Sequence, residues 1–185
     1  MRRNFGPQPY LFPMPVLIVG TYNEDGTANA MNAAWGTIAD MDRVAIFLAD
    51  HKTTRNILDG RDFTVSFATA DQVVPADYVG IVSANDEPNK FAKTGWTPEK
   101  SEHVNAPLFA ELPVALECRM ISYDEEAELM IGQIVNVCAD ESVLRPDGSV
   151  DMTKLRPIAY DPMNHDYLLV TEKVGNAFED GVELK

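Results

Sequence analysis

Residues 29–54 read NAMNAAWGTIADMDRVAIFLADHKTT, two unlike halves of one pocket joined by an apolar strand. In the first half the small residues Ala30, Ala33, Ala34 and Gly36 surround Asn32 and Trp35, so a flat ligand can come close to the backbone. The second half gathers anion-binding groups, His51, Lys52, Thr53 and Thr54, at the start of a short amphipathic segment, Arg55 to Leu58. Free N–H groups at a helix start, together with the helix dipole, favour negative charge there. A flat ring at one end and a phosphate at the other outline a mononucleotide. Between the halves, Val44 to Ala49 is continuously apolar, which predicts a strand buried on both faces.

Working outward, the proline-rich opening, Gly6 to Pro15, reads as an extended surface segment. Val16 to Tyr22 is expected as a strand, and Asn23-Glu24-Asp25-Gly26 carries the Asp-Gly signal of a tight hairpin. Thr27 to Thr37 then returns as a second strand. Thr53 to Leu58 is expected as a helix ended by Gly60. In Phe63 to Ala68 large apolar residues alternate with Thr64, Ser66 and Ala68, the period of a strand with distinct faces. Val73 to Ile81 reads as a second helix, with Asp77 and Tyr78 expected only to cap and pack it. Ser83 to Pro107 is polar and irregular, and a connection of that length is usually functional or a partner contact. Two long strands come next, Val114 to Tyr123 and Leu129 to Ala139, across the acidic turn Asp124-Glu125-Glu126. Met152 to Leu155 reads as a short helix and His165 to Val170 as a last strand. Strands without a βαβ rhythm predict a mainly β, mostly antiparallel barrel with short helices. Residues 1–185 are expected to form a single domain, a length sufficient for a core.

The composition is 45% hydrophobic and 24% charged, ordinary for a globular chain. A formal net charge of −14 argues against a nucleic-acid partner, whose phosphates would be repelled over most of the surface. Against that background the cations His51, Lys52 and Arg55 stand out. Cys118 and Cys138 each lie in an apolar strand-like run and suggest neither a disulfide nor a metal site. The three histidines lack ligand spacing. No apolar run approaches membrane-spanning length, and prolines interrupt the segment after Met1-Arg2-Arg3, so a soluble, cytoplasmic protein is expected. The G-x-G-x-x-G, G-x-x-x-x-G-K and G-x-S-x-G patterns are absent.

Several segments carry a resemblance: FPMPVLIVGTYNEDGTANAMNAAWG, HKTTRNI, DFTVSFA, DYVGIVSAN, NKFAKTGWTP, NAPLF with LPVALEC, and EKVGNAF. In this order, from about Phe12 to Phe178, the chain resembles the flavin reductase-like, flavoredoxin-type FMN-binding family. The resemblance implies an FMN-binding split β-barrel of antiparallel Greek-key type. It implies that Asn32, Ala33, Ala34 and Trp35 lie along the isoalloxazine and ribityl chain. Lys52, Thr53 and Thr54, with His51 alongside, would hold the phosphate. Ser66 and Phe67 would meet the ring edge largely through backbone groups, and Lys90, Phe91 and Tyr167 would line a mouth completed by a second subunit. Plainer roles stand beside these: Trp35 as a core aromatic, Lys90 as a surface lysine unless a dimer buries it, Thr53 as the helix N-cap.

The implied function is a homodimeric FMN flavoprotein that takes electrons from NAD(P)H or a redox protein and passes them to another molecule. The alternatives are a non-catalytic binder of flavin or a phosphate ligand on the same fold, and an unrelated structural barrel. One departure touches the donor. Many flavin reductases of this family carry Gly-Asp-His where this chain has Asp124-Glu125-Glu126-Ala127-Glu128, so the histidine linked to nicotinamide is missing.

Overall fold

The computed structural model describes residues 1–184. These form strands β1 (Met14–Pro15), β2 (Leu17–Tyr22), β3 (Ala28–Ala33), β4 (Gly36–Asp40), β5 (Arg43–Phe47) and β6 (Asp62–Phe67). They continue with β7 (Pro98–Lys100), β8 (Pro107–Phe109), β9 (Val114–Asp124), β10 (Leu129–Ala139), β11 (Ile158–Asp161) and β12 (Asp166–Leu169). The α-helices are α1 (Lys52–Gly60), α2 (Val73–Ile81) and α3 (Met152–Leu155). One seven-stranded antiparallel sheet, in the order β3-β2-β6-β9-β10-β5-β4, curls into the half-barrel of a split-barrel fold. A second sheet orders β1-β11-β12, and β7 pairs with β8.

Strands β3 and β4 are consecutive in the chain yet lie at opposite edges of the large sheet. The single strand expected over Thr27 to Thr37 is therefore two, broken at Ala34-Trp35. That dipeptide carries the chain from one edge to the other. The Phe47 amide donates to the Trp35 carbonyl at 2.8 Å and fastens the crossing to β5. The hairpin between β2 and β3 turns where the Asp-Gly signal places it. Gly26 takes φ +79° and its amide donates to the Asn23 carbonyl at 2.9 Å.

The large sheet buries both faces. Leu17, Val19, Met31, Phe63, Val65, Leu116 and Met130 fill one side, with Ile57 of α1. Val16, Ile18, Ala30, Trp96, Phe109 and Leu112 fill the other, beneath Ala76 and Val79 of α2. Strand β6 shows why. Phe63 and Val65 enter the first core, while Thr64 and Ser66 are equally buried. Thr64 spends its hydroxyl on the Pro107 carbonyl at 2.6 Å. Trp96, within the long segment whose length suggested a partner contact, is 5% exposed and stacks on Phe109, and Phe91 packs beside the same ring. Trp96 belongs to the chain's own core, and Phe91 is partly buried against it. Buried Glu117 accepts from Ser101, from Asn136 and from the His103 amide, tying the segment after β7 to β9. Burial pushes its carboxyl up, but those donors outweigh it and hold it below the usual range.

Candidate functional site

Edge strand β3 has one side unpaired in the sheet, and α1 and α2 approach it from opposite faces. Asn32 points to α2, its amide donating to the Ala76 carbonyl at 3.0 Å. Gly80 of α2 sits so close that an added Cβ would lie 3.0 Å from the Asn32 Cβ. Asn29 points the other way, to Thr53 of α1. Two cavities run along this edge. The one at the α1 N-terminus has a volume of about 270 Å³ and is lined by His51, Lys52, Thr53, Ser83, Ala84 and Lys90, among others. Its neighbour, about 460 Å³, is lined by Ala34, Trp35, Asp77, Tyr160, His165 and Tyr167. Asn32, Gly80 and Ile81 line both, so the two form one groove whose size suits a cofactor.

The α1 end gathers groups that can take an anion. Helix α1 begins at Lys52, and its N-cap is His51, whose side chain makes no capping hydrogen bond. Thr53 is therefore not the cap. No acidic residue lies in the first turn, leaving its open amides and dipole available to a ligand. Lys90 is 3% exposed, which excludes the ordinary surface lysine. Its Nζ donates to the Val82 carbonyl at 2.9 Å and the Val79 carbonyl at 3.2 Å, at the C-terminal end of α2. Burial pushes its pKa down from 10.5 to about 8. Arg55, the third expected cation, turns away to clasp Asp50 at 2.7 and 2.5 Å. Helix α1 runs to Gly60 and is ended by Arg61 at φ 65°, so Gly60 lies inside its last turn.

The far end of the groove is largely aromatic, with the Asp77 carboxylate on its wall. Trp35 is 56% exposed and meets Phe47 edge-on, so it is not a core residue. Tyr167 donates to Asp77 Oδ1 at 2.8 Å, and Tyr160 is bonded to His165 Nδ1 at 2.7 Å. Burial, with Asp77 second, pushes the Tyr167 phenol up to about 12, so it stays protonated at neutral pH.

Of the sequence-derived candidates, Asn32, Ala34, Trp35, His51, Lys52, Thr53, Lys90 and Tyr167 come together along this groove. The others lie elsewhere. Ala33 faces the first core, on the side of β3 opposite Asn32. Thr54 is buried and donates its hydroxyl to the Ala49 carbonyl at 2.6 Å. Ser66 is buried in β6, its Oγ without a partner, and Phe67 packs between two hydrophobic clusters. Phe91 lines a separate groove of about 870 Å³ between the Asn23–Gly26 turn and the segment after α2. Sequence reasoning missed Asp77, Gly80, Tyr160 and His165. Their nearest signal was the glycine inside α2, a sign of close backbone approach.

Known proteins share this fold. The model of the flavin reductase like domain matches residues 10–161. Flavoredoxin of Desulfovibrio vulgaris (Miyazaki F) is 38% identical, with 98% of this chain and all of that chain covered at a TM-score of 0.93. Flavoredoxin from Methanosarcina acetivorans, 24% identical, superposes over the full length of both chains at 0.88 and shares the fold. An uncharacterized protein of Aquifex aeolicus is 26% identical over 156 residues, 79% of each chain. With a family model spanning the large sheet, both helices of the groove and β11, the chain belongs to the flavin reductase-like domain family.

Proposed function

We propose that this chain is a homodimeric flavoprotein of flavoredoxin type, holding FMN along the free edge of β3 and passing electrons through it to a small molecule or protein. Family membership supports the cofactor. The observation that carries its placement is the continuous groove with anion donors at one end and largely aromatic walls at the other. The α1 amides, Lys52 and the Thr53 hydroxyl hold the phosphate, and buried Lys90 adds charge beneath it. Asn32, tied to Ala76, fixes the distance between β3 and α2 and so the width of the groove. Ala34 lets the ring come close, Trp35 covers it, and Tyr167 keeps a neutral phenol at its edge. When bound, FMN supplies the redox chemistry of its isoalloxazine.

The separate 870 Å³ groove adjoins Lys52 but carries Glu24 and Asp25 on its rim, which disfavours a second phosphate. FMN should therefore bind more tightly than FAD. Fluorescence titration with both flavins tests this, and equal or tighter binding of FAD would contradict it.

The donor is better sought among redox proteins than nicotinamides. The Leu48 amide donates to the Glu128 carbonyl at 2.7 Å, which sets the acidic turn beside Asp50 and the start of α1. Anionic NAD(P)H meets these charges on an already acidic chain. Among the described residues no helix is long and apolar enough to cross a membrane. Free Cys118 and Cys138 suit a reducing compartment, which supports a cytoplasmic location.

A further inference from the structure

Behind the anion end of the groove lies a buried polar network that no flavin contact requires. Asn29, 2% exposed, donates from Nδ2 to Thr53 Oγ1 at 2.8 Å and to Thr21 Oγ1 at 3.2 Å. Asn56 of α1 also donates to Thr21 Oγ1, at 3.0 Å, and to Asn23 Oδ1, at 3.0 Å. These bonds join the β2–β3 hairpin to α1, and Asn29 reaches the helix one turn nearer its start. A threonine hydroxyl has one proton and two lone pairs. At Thr53 the amide of Asn29 occupies a lone pair. Among the described residues the Thr53 proton has no acceptor, although the residue is only 2% exposed and borders the cavity at the α1 N-terminus. A buried donor seldom goes unused.

We propose that Asn29 is a positioning residue for phosphate recognition: by donating to Thr53 Oγ1 it forces that hydroxyl to act as a donor toward the groove. The proposal rests on the placement of the phosphate at the α1 N-terminus. Without Asn29, Thr53 could turn its proton back and offer a lone pair, which repels a phosphate. An aspartate at position 29 would enforce that reversal, because a carboxylate can only accept.

The test compares FMN with riboflavin, which lacks the phosphate, by flavin fluorescence quenching. The variants are Asn29→Asp, Asn29→Ala, Thr53→Val and the Asn29→Asp/Thr53→Val pair. Thermal melts establish that each is folded. Asn29→Asp should lower the preference for FMN over riboflavin about tenfold, the scale of one hydrogen bond to a charged group. Asn29→Ala should lower it less, and riboflavin affinity should hold in both. In the Thr53→Val background Asn29→Asp should have little further effect, whereas a negative charge acting through space would act equally there. Parallel loss of FMN and riboflavin binding, or an undiminished effect in the Thr53→Val background, overturns the proposal. If Asn29→Asp does not fold, an unchanged preference in Asn29→Ala overturns it equally. Wild-type protein that binds both flavins alike would remove the phosphate placement itself, and the inference with it.

Discussion

Lys90 shows what a single residue contributes when it is buried rather than solvated. Its ammonium lies against two carbonyls at the end of α2 and borders the anion cavity, so a bound phosphate favours the charged form. The free protein loses that charge near pH 8. Binding raises the pKa, and FMN affinity should therefore fall as pH rises through about 8. A decline of roughly three- to tenfold between about pH 7 and about pH 9.5 is expected by linkage, flattened in Lys90→Met. Fluorescence titration across that range checks it, and a flat wild-type profile would contradict it. The sign for folding is opposite. The unfolded lysine keeps its proton to about 10.5, so between 8 and 10.5 the unfolded chain holds more protons and stability rises with pH on this residue's account. The burial was not legible in the sequence, where the resemblance set Lys90 at the mouth of the pocket and the plainer reading left it on the surface unless a dimer buried it. The carbonyls that bury Lys90 belong to a helix placed by tertiary packing. Thr53 and Lys52 were legible, because a helix start announces itself locally.

At the scale of elements, local signals did well and long-range ones failed. The Asp-Gly turn and the two long strands around Asp124–Glu126 were marked by adjacent residues, and both hairpins form. The break at Ala34-Trp35 left no local mark, because it exists to connect opposite edges of a sheet whose order is set by distant pairings. The polar positions of β6 signalled two faces without showing that the second is covered. Gly20 reveals how close that cover is. An added Cβ would lie 2.5 Å from Thr64 Oγ1 and 2.9 Å from the Pro107 carbonyl oxygen, displacing the bond between them. Gly20→Ala should cost about 1–3 kcal/mol of stability as an overpacked site. Urea denaturation measures it, with the slope unchanged and only the midpoint shifted. A loss below about 0.5 kcal/mol, the size of an ordinary surface effect, would mean the second face yields more easily than its geometry implies.

For the whole molecule, the proposed dimer calls for a surface other than the segment Ser83 to Pro107, whose length suggested a partner contact. Of the aromatics in that segment, Trp96 is internal and Phe91 is partly buried against the same core. Trp35, Phe47, Ile38 and Leu11 are instead exposed, and a hollow of about 570 Å³ lies between Trp35, Phe47 and the proline-rich start of the chain. Apolar surface of that kind commonly marks an interface. Light scattering at micromolar concentration should give twice the 20.5 kDa chain mass, and a monomer with FMN bound would confine the site to one chain. The central claim, that this chain is an FMN redox protein, is tested most directly by anaerobic visible absorption of the purified protein reconstituted with FMN. A bound-flavin band should appear, bleach fully with dithionite or a reduced redox protein, bleach only slowly with NADH or NADPH, and return with an oxidant. Rapid saturable bleaching by NADH would show that the missing histidine is dispensable. A chain that retains no flavin band after gel filtration, or whose band never bleaches, would contradict the claim.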